Sequence, residues 1–88
     1  MTFTVRVPSR VIRYLDRLPS RIRNQVLDRF ERLAAEPYDP VVSEPLSGRW
    51  AGHRKSRVGD YRIIYVVRDE QLEVRVVRVG PRGDVYKE

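Results

Sequence analysis

HRKSRVGDYRIIY, residues 53–65, is the stretch that decides how this chain folds. It is polar and cationic from His53 to Arg57, is broken by Gly59-Asp60, and continues as an apolar run from Tyr61 to Val67. That pattern predicts a tight antiparallel hairpin, because glycine tolerates the positive φ needed at the first central position of a two-residue loop. With the loop centred between Gly59 and Asp60, Arg57 lies directly across from Arg62. Period-two alternation then puts His53, Lys55 and Arg57 on one face, and Arg62 joins them from the partner strand. Like charges opposite each other destabilise a sheet, so stability alone does not account for the arrangement. A polyanion laid across that face does.

Composition points the same way. At 88 residues the chain is a single small domain spanning 1–88, near the size where one core is just sufficient. Eighteen Lys and Arg against twelve Asp and Glu give a net charge of +6, and sixteen of those cations are arginine. Arginine holds phosphate bidentately, which lysine cannot do, so a basic balance of this kind indicates nucleic acid or another acidic partner. No cysteine is present and there is one histidine, which excludes disulfides, thiolate sites and histidine-rich metal sites. No metal and no cofactor are expected. No apolar run approaches the ~20 residues of a membrane span, and the expected location is the cytoplasm.

Working outward from the hairpin, Phe3, Val5 and Val7 alternate with Thr2, Thr4 and Arg6, which predicts a short half-buried strand ended by Pro8. Ser9 is placed to cap a helix carrying Val11, Leu15 and Leu18, which stops before Pro19. A second helix follows on the stripe Ile22, Val26, Phe30 and Leu33, with Leu27 and Ala34 alongside, and ends by Glu36-Pro37. Residues 36–48 (EPYDPVVSEPLSG) read as an ordered connector pinned by Val41, Val42 and Leu46. Downstream of the hairpin, a turn at Asp69-Glu70 sets Val67 opposite Leu72, Tyr65 opposite Val74 and Ile63 opposite Val76. Both turns assign the same apolar face to the helices and leave Arg75, Ile64, Val66 and Val77 with the cations. The expected class is α+β: an N-terminal strand, an αα-hairpin, and a three-stranded antiparallel meander in one twisted sheet packed on the helices.

The residues Pro45-Leu46, Gly48, Arg57, Gly59 to Tyr65, Val79-Gly80, Arg82 and Val85-Tyr86 resemble the RelE/ParE superfamily of bacterial toxins over nearly the whole chain. The pattern is most similar to RelE-type members. The resemblance implies a toxin of a type II toxin–antitoxin system, an endoribonuclease that cuts messenger RNA in the decoding site of the ribosome. It implies a catalytic set of basic residues with a tyrosine near the C-terminus, which falls here on Arg62, Arg82 and Tyr86. The family's pair of lysines falls on His53 and Lys55, so one of them is replaced by histidine. A further family arginine falls on Ser47, with Arg49 its nearest substitute. Arg49, Arg54, Arg57 and Arg75 are assigned to RNA contact. The implied partners are a cognate antitoxin, the ribosome with its messenger, and operator DNA only through the toxin–antitoxin complex; no membrane is involved.

The chemistry is consistent on its own terms. RNA can be cut by its own 2′-hydroxyl attacking the adjacent phosphorus, so the protein must supply positioning, charge stabilisation and proton transfer, not a nucleophile. Arginines suit the phosphate and a tyrosine suits stacking on a base. Histidine is the side chain suited to take a proton near neutrality, whereas a lysine does so only when neighbouring cations disfavour its charge. Two other readings stay open at this point: a ParE-type toxin that inhibits DNA gyrase, and a non-catalytic RNA-binding remnant. Trp50, Tyr61 and Tyr65 are assigned to packing.

Overall fold

The computed structural model describes residues 2–87. The chain runs β1 (Thr4–Arg6), α1 (Ser9–Asp16), α2 (Ser20–Ala35), β2 (Glu44–Pro45), a 3-10 turn (Gly48–Trp50), β3 (Arg54–Val58), β4 (Tyr61–Arg68), β5 (Glu73–Pro81) and a last 3-10 turn (Asp84–Tyr86). The strands form one sheet in the order β1-β5-β4-β3-β2. The fold is α+β as expected, with two additions. The N-terminal strand pairs parallel to β5, and the connector contributes β2, an edge strand antiparallel to β3.

The β3–β4 hairpin has the predicted register, Arg57 opposite Arg62 and Val58 opposite Tyr61. Gly59 takes φ +58°, the left-handed conformation this loop needs. The second turn differs from its prediction. Asp69-Glu70-Gln71 offers no glycine or asparagine for a two-residue loop, and the chain uses Asp69 to Leu72 instead. Leu72 carries the positive φ, +53°, and is held there on both sides: its N–H bonds the Asp69 carbonyl and its carbonyl accepts the Thr4 N–H. The register therefore slides by two, to Val67 opposite Val74 and Tyr65 opposite Val76. A two-residue slide leaves every side chain on its predicted face. A bulge in β5 then sets Ile63 opposite Val79 and Ile64 opposite Arg78, so Val79, not Arg78, turns toward the helices.

The core joins Val11 and Leu15 of α1, Val26, Phe30 and Leu33 of α2, and Val58, Ile63, Tyr65, Val74, Val76 and Val79 of the sheet. Leu27, expected alongside the α2 stripe, stays out of it, as does Ile12 of α1; both are nearly half exposed. The connector is also pinned differently from expectation. Val41 is 78 % exposed, and Pro37, Val42 and Ser43 are the buried anchors. Among the described residues no helix is long and apolar enough to cross a membrane.

What holds the connector down is a buried hydroxyl. Tyr65 is fully buried, and its Oη donates to the Pro37 carbonyl at 2.7 Å and contacts the Ser43 Oγ. Arg54 Nε donates to the same Ser43 Oγ at 2.7 Å, and its guanidinium lies 5.1 Å over the Tyr38 ring. Burial raises the Tyr65 hydroxyl above its ordinary 10.0, so the folded state keeps it protonated where an unfolded chain ionises it. Tyr65→Phe strands the Pro37 carbonyl and should cost about 1–3 kcal/mol in urea unfolding at neutral pH. The raised value means the contribution is full below pH ~10 and is lost as pH rises past it. The parent–variant gap should accordingly narrow in unfolding curves taken above that pH.

Candidate nucleic-acid interface

On the sheet face turned away from the helices, the registers line up Arg57, Arg62 and Gly80 in one row and Lys55, Ile64 and Arg78 in the next. Beyond these come Val66, Arg75 and Arg6, then Arg68, Glu73 and Thr4. Lys55, Arg57, Arg62 and Arg75 thus share a face, as period-two alternation predicts. His53 sits one residue before β3. Arg54 does not join them. It alternates to the helix side and is engaged with Ser43 and Tyr38, so its work is in the fold.

This face is not open along its whole length. Ile64 is fully buried although it points away from the helices, because the C-terminal segment crosses over it. Val85 is buried against Gly80: a methyl group added at Gly80 would stand 3.6 Å from the Val85 Cβ. Arg78, which sequence reasoning missed, fastens this cover. Its Nη1 donates to the carbonyls of Val85 and Lys87, and its guanidinium lies 5.2 Å over the Trp50 ring. The only sequence signal for it was a second arginine among the valines of β5, and the bulge that aims it was not legible.

The cover brings the remote candidates in. Arg82 donates its backbone N–H to the Asp60 carbonyl at 2.8 Å, which docks the residue after β5 onto the hairpin loop beside Arg62. Its side chain is exposed. Tyr86 stands edge-on to Trp50 at 6.4 Å between ring centroids, and Trp50 stands edge-on to His53 at 5.2 Å. Trp50 is therefore packing, but packing that sets the position of both candidate rings. Arg49 is exposed on the same 3-10 turn.

Arg62 departs from the picture of an open cation. It is 6 % exposed, and its Nη1 donates to the carbonyls of Gly59 at 3.2 Å and Tyr61 at 3.1 Å. Those bonds brace the hairpin loop and explain how two arginines tolerate facing positions: one lies inward against carbonyl dipoles while Arg57 stays exposed. Only Nη1 is engaged among the described residues, which leaves donors on Nε and Nη2. Lys55 has a loose carboxylate partner, Glu44, at 4.0 Å. His53 Nδ1 is buried with no hydrogen-bond partner among the described residues, so Nε2 is the nitrogen left for a ligand. Arg75 is paired with Glu73 at the far end of the face. Among the described residues no three His, Cys, Asp or Glu side chains gather as metal ligands would.

Arg57, Arg62, Lys55 and the backbone of Arg82 are thus brought to one end of the outer face, with His53 and the Tyr86 ring on either side of Trp50. Over residues 5–86 the sequence matches the family described as the ParE toxin of a type II toxin–antitoxin system, parDE. It is 38 % identical to Toxin RelG of Mycobacterium tuberculosis over 88 residues, 99 % of each chain. Its fold is similar to that in the toxin–antitoxin complex RelBE2 of M. tuberculosis, with a TM-score of 0.81 at 36 % identity, covering 93 % of this chain and all of that one. The RelE–RelB complex of the archaeon Pyrococcus horikoshii is similar too, with a TM-score of 0.81 at 28 % identity over 94 % of this chain and 98 % of that one.

Arg78→Ala removes the fastening of the C-terminal cover without touching the helix-side core. The amides of Tyr86 and Lys87 should then exchange with solvent about tenfold faster or more, the ratio that corresponds to ~1.4 kcal/mol of lost local protection. Hydrogen exchange read by NMR, with global unfolding measured beside it, separates that local opening from general destabilisation.

Proposed function

The chain belongs to the ParE toxin family of the RelE/ParE superfamily and is RelE-like, and from that premise we propose that it is a ribosome-dependent endoribonuclease that cuts messenger RNA in the decoding site. The observation that carries this reading is the docking of Arg82 onto the hairpin loop beside Arg62, with Tyr86 held on Trp50 a short way along the same face.

In the proposed reaction the 2′-oxygen attacks the adjacent phosphorus. The O2′–P bond forms, the P–O5′ bond breaks, and the 2′-proton passes to a base on the protein while the departing 5′-oxygen receives one. Arg62 and Arg82 stabilise the charge that builds on the phosphoryl oxygens, which is where prepositioned donors contribute most. The buried setting of Arg62 strengthens it for this role, since its guanidinium is already oriented and partly removed from water. Tyr86 stacks on a base or bonds the reacting ribose. Either His53, through Nε2, or Lys55 takes the proton, and Arg49 and Arg57 hold flanking phosphates.

The partner in this reading is a cognate antitoxin whose acidic segment covers the cationic face and competes with RNA there. The two solved relatives from M. tuberculosis and P. horikoshii are toxin–antitoxin complexes, which supports that assignment. Operator DNA is then reached only through the complex, and the site of action is the cytoplasm. A second reading, inhibition of DNA gyrase, is favoured by one observation: the matched family is described by its ParE members.

A translating extract given the purified chain, with messenger ends mapped and a gyrase supercoiling assay run in parallel, decides between them. Ribosome-dependent cuts are expected, and Arg82→Ala should lower them by at least a hundredfold, the scale of losing one charge-stabilising donor. Gyrase inhibition without cuts would overturn the proposal.

A further inference from the structure

The far end of the same face holds an arrangement that the cleavage reading does not use. Arg6 of β1 and Arg75 of β5 are register partners on neighbouring strands, so two cations stand side by side. Glu73 lies between them. Its Oε2 accepts from Arg6 Nε and its Oε1 from Arg75 Nε, each at 2.9 Å. The carboxylate is sunk into the sheet, with its side chain 11 % exposed, while the Arg6 and Arg75 side chains are 67 % and 52 % exposed. These two bonds hold the Glu73 carboxyl below its ordinary range.

One arginine would be enough to pair the sunken carboxylate, and ion pairs whose cationic ends are exposed contribute only ~0–1 kcal/mol each, so stability does not by itself account for the symmetric trio. Its geometric consequence is more specific. With both Nε groups turned inward to Glu73, each guanidinium has its terminal nitrogens left without another bond among the described residues. Two planar forks are therefore fixed next to each other over a hollow of about 440 Å³, and planar forks suit phosphate oxygens. Arg75 is five residues along β5 from Gly80, about 16 Å at ~3.3 Å per residue, and on the same face as Arg62.

We propose that Arg6 and Arg75, held side by side by Glu73, form a second clamp for the phosphodiester backbone of RNA, a few nucleotides from the cleavage centre. The clamp rests on RNA being the ligand of this face, as in the function proposed above. An acidic protein segment is the competing occupant, and the test separates the two.

The measurement is fluorescence anisotropy of a 2′-O-methyl oligouridylate, which binds but cannot be cut, titrated with the full chain across a salt series. Arg6→Lys with Arg75→Lys keeps the net charge and loses the forks; it should bind about tenfold more weakly than the parent. Arg6→Ala with Arg75→Ala should flatten the dependence of log affinity on log salt by about 1.4, at ~0.7 per phosphate contact on a single strand. Equal binding by the lysine variant, or an unchanged slope in the alanine variant, overturns the clamp. So does no binding by the parent, and so does an alanine variant that loses polyglutamate but keeps the oligonucleotide. Thermal unfolding checks each variant, and if a double variant fails to fold, Arg75→Lys alone is read against the same criteria. Cleavage in the extract is scored separately. Cuts with an unchanged slope overturn the clamp alone, whereas a changed slope without cuts overturns the cleavage reading and leaves the clamp standing.

Discussion

The constraint on which the rest of this structure depends is that β4 is buried on both of its faces. Ile63 and Tyr65 point to the helices, Ile64 points the other way, and all three are fully buried. A sheet with helices on one side only would leave Ile64 in water, and burying such a side chain is worth roughly 1.5–3 kcal/mol. The chain satisfies it by folding its last turn back across β4 and β5, with Val85 seated on Gly80. Because that cover must cross the sheet, it carries Tyr86 to Trp50 and ties Arg82 to the hairpin loop. The candidate site is thus a by-product of covering one isoleucine, and its two C-terminal members owe their positions to packing.

The same economy governs the arginines. Composition counts all of them as charge available to a partner, yet several are engaged within the fold. Arg10 donates to the Val77 carbonyl, Arg29 to the Ser56 hydroxyl and the Arg57 carbonyl, Arg62 to two loop carbonyls, and Arg78 to two carbonyls of the C-terminal segment. Arg29 is disfavoured as a cation by burial, a sign that its place is structural. A guanidinium offers five donors on a long stem, so it can satisfy backbone acceptors at sheet edges that a small domain has no further strand to pair. The net charge still favours an acidic partner, but the surface that would meet it is narrower than composition suggests, running along Lys55, Arg57, Arg82, the remaining donors of Arg62 and the Arg6–Arg75 pair.

Legibility followed the range of the physics. The hairpin at Gly59-Asp60 was readable to the residue, because loop length and glycine conformation are local. The register set by the turn at Asp69 was off by two residues, since no glycine marks the turn and the left-handed residue is a leucine stabilised by a bond from β1. Its faces were nonetheless right, because a slide of two preserves alternation. Arg54 was grouped with the RNA contacts although its own parity pointed it to the helices, and there it holds Ser43. The burial of Arg62 was also out of reach, since nothing local says which of two facing arginines lies down against the loop.

By itself, the sequence determined the order of the main elements, the two faces of the sheet up to the bulge, and the places of Lys55, Arg57, Arg62 and Arg75 on the outer one. Each of these follows from period, turn chemistry and side-chain type, which act over a few residues. Only the tertiary structure decided that β1 runs parallel to β5, that a bulge turns Arg78 outward, and that the C-terminal turn lies over Ile64. Those outcomes depend on which distant surfaces can close over one another, and a strand does not record in its own residues what will cover it.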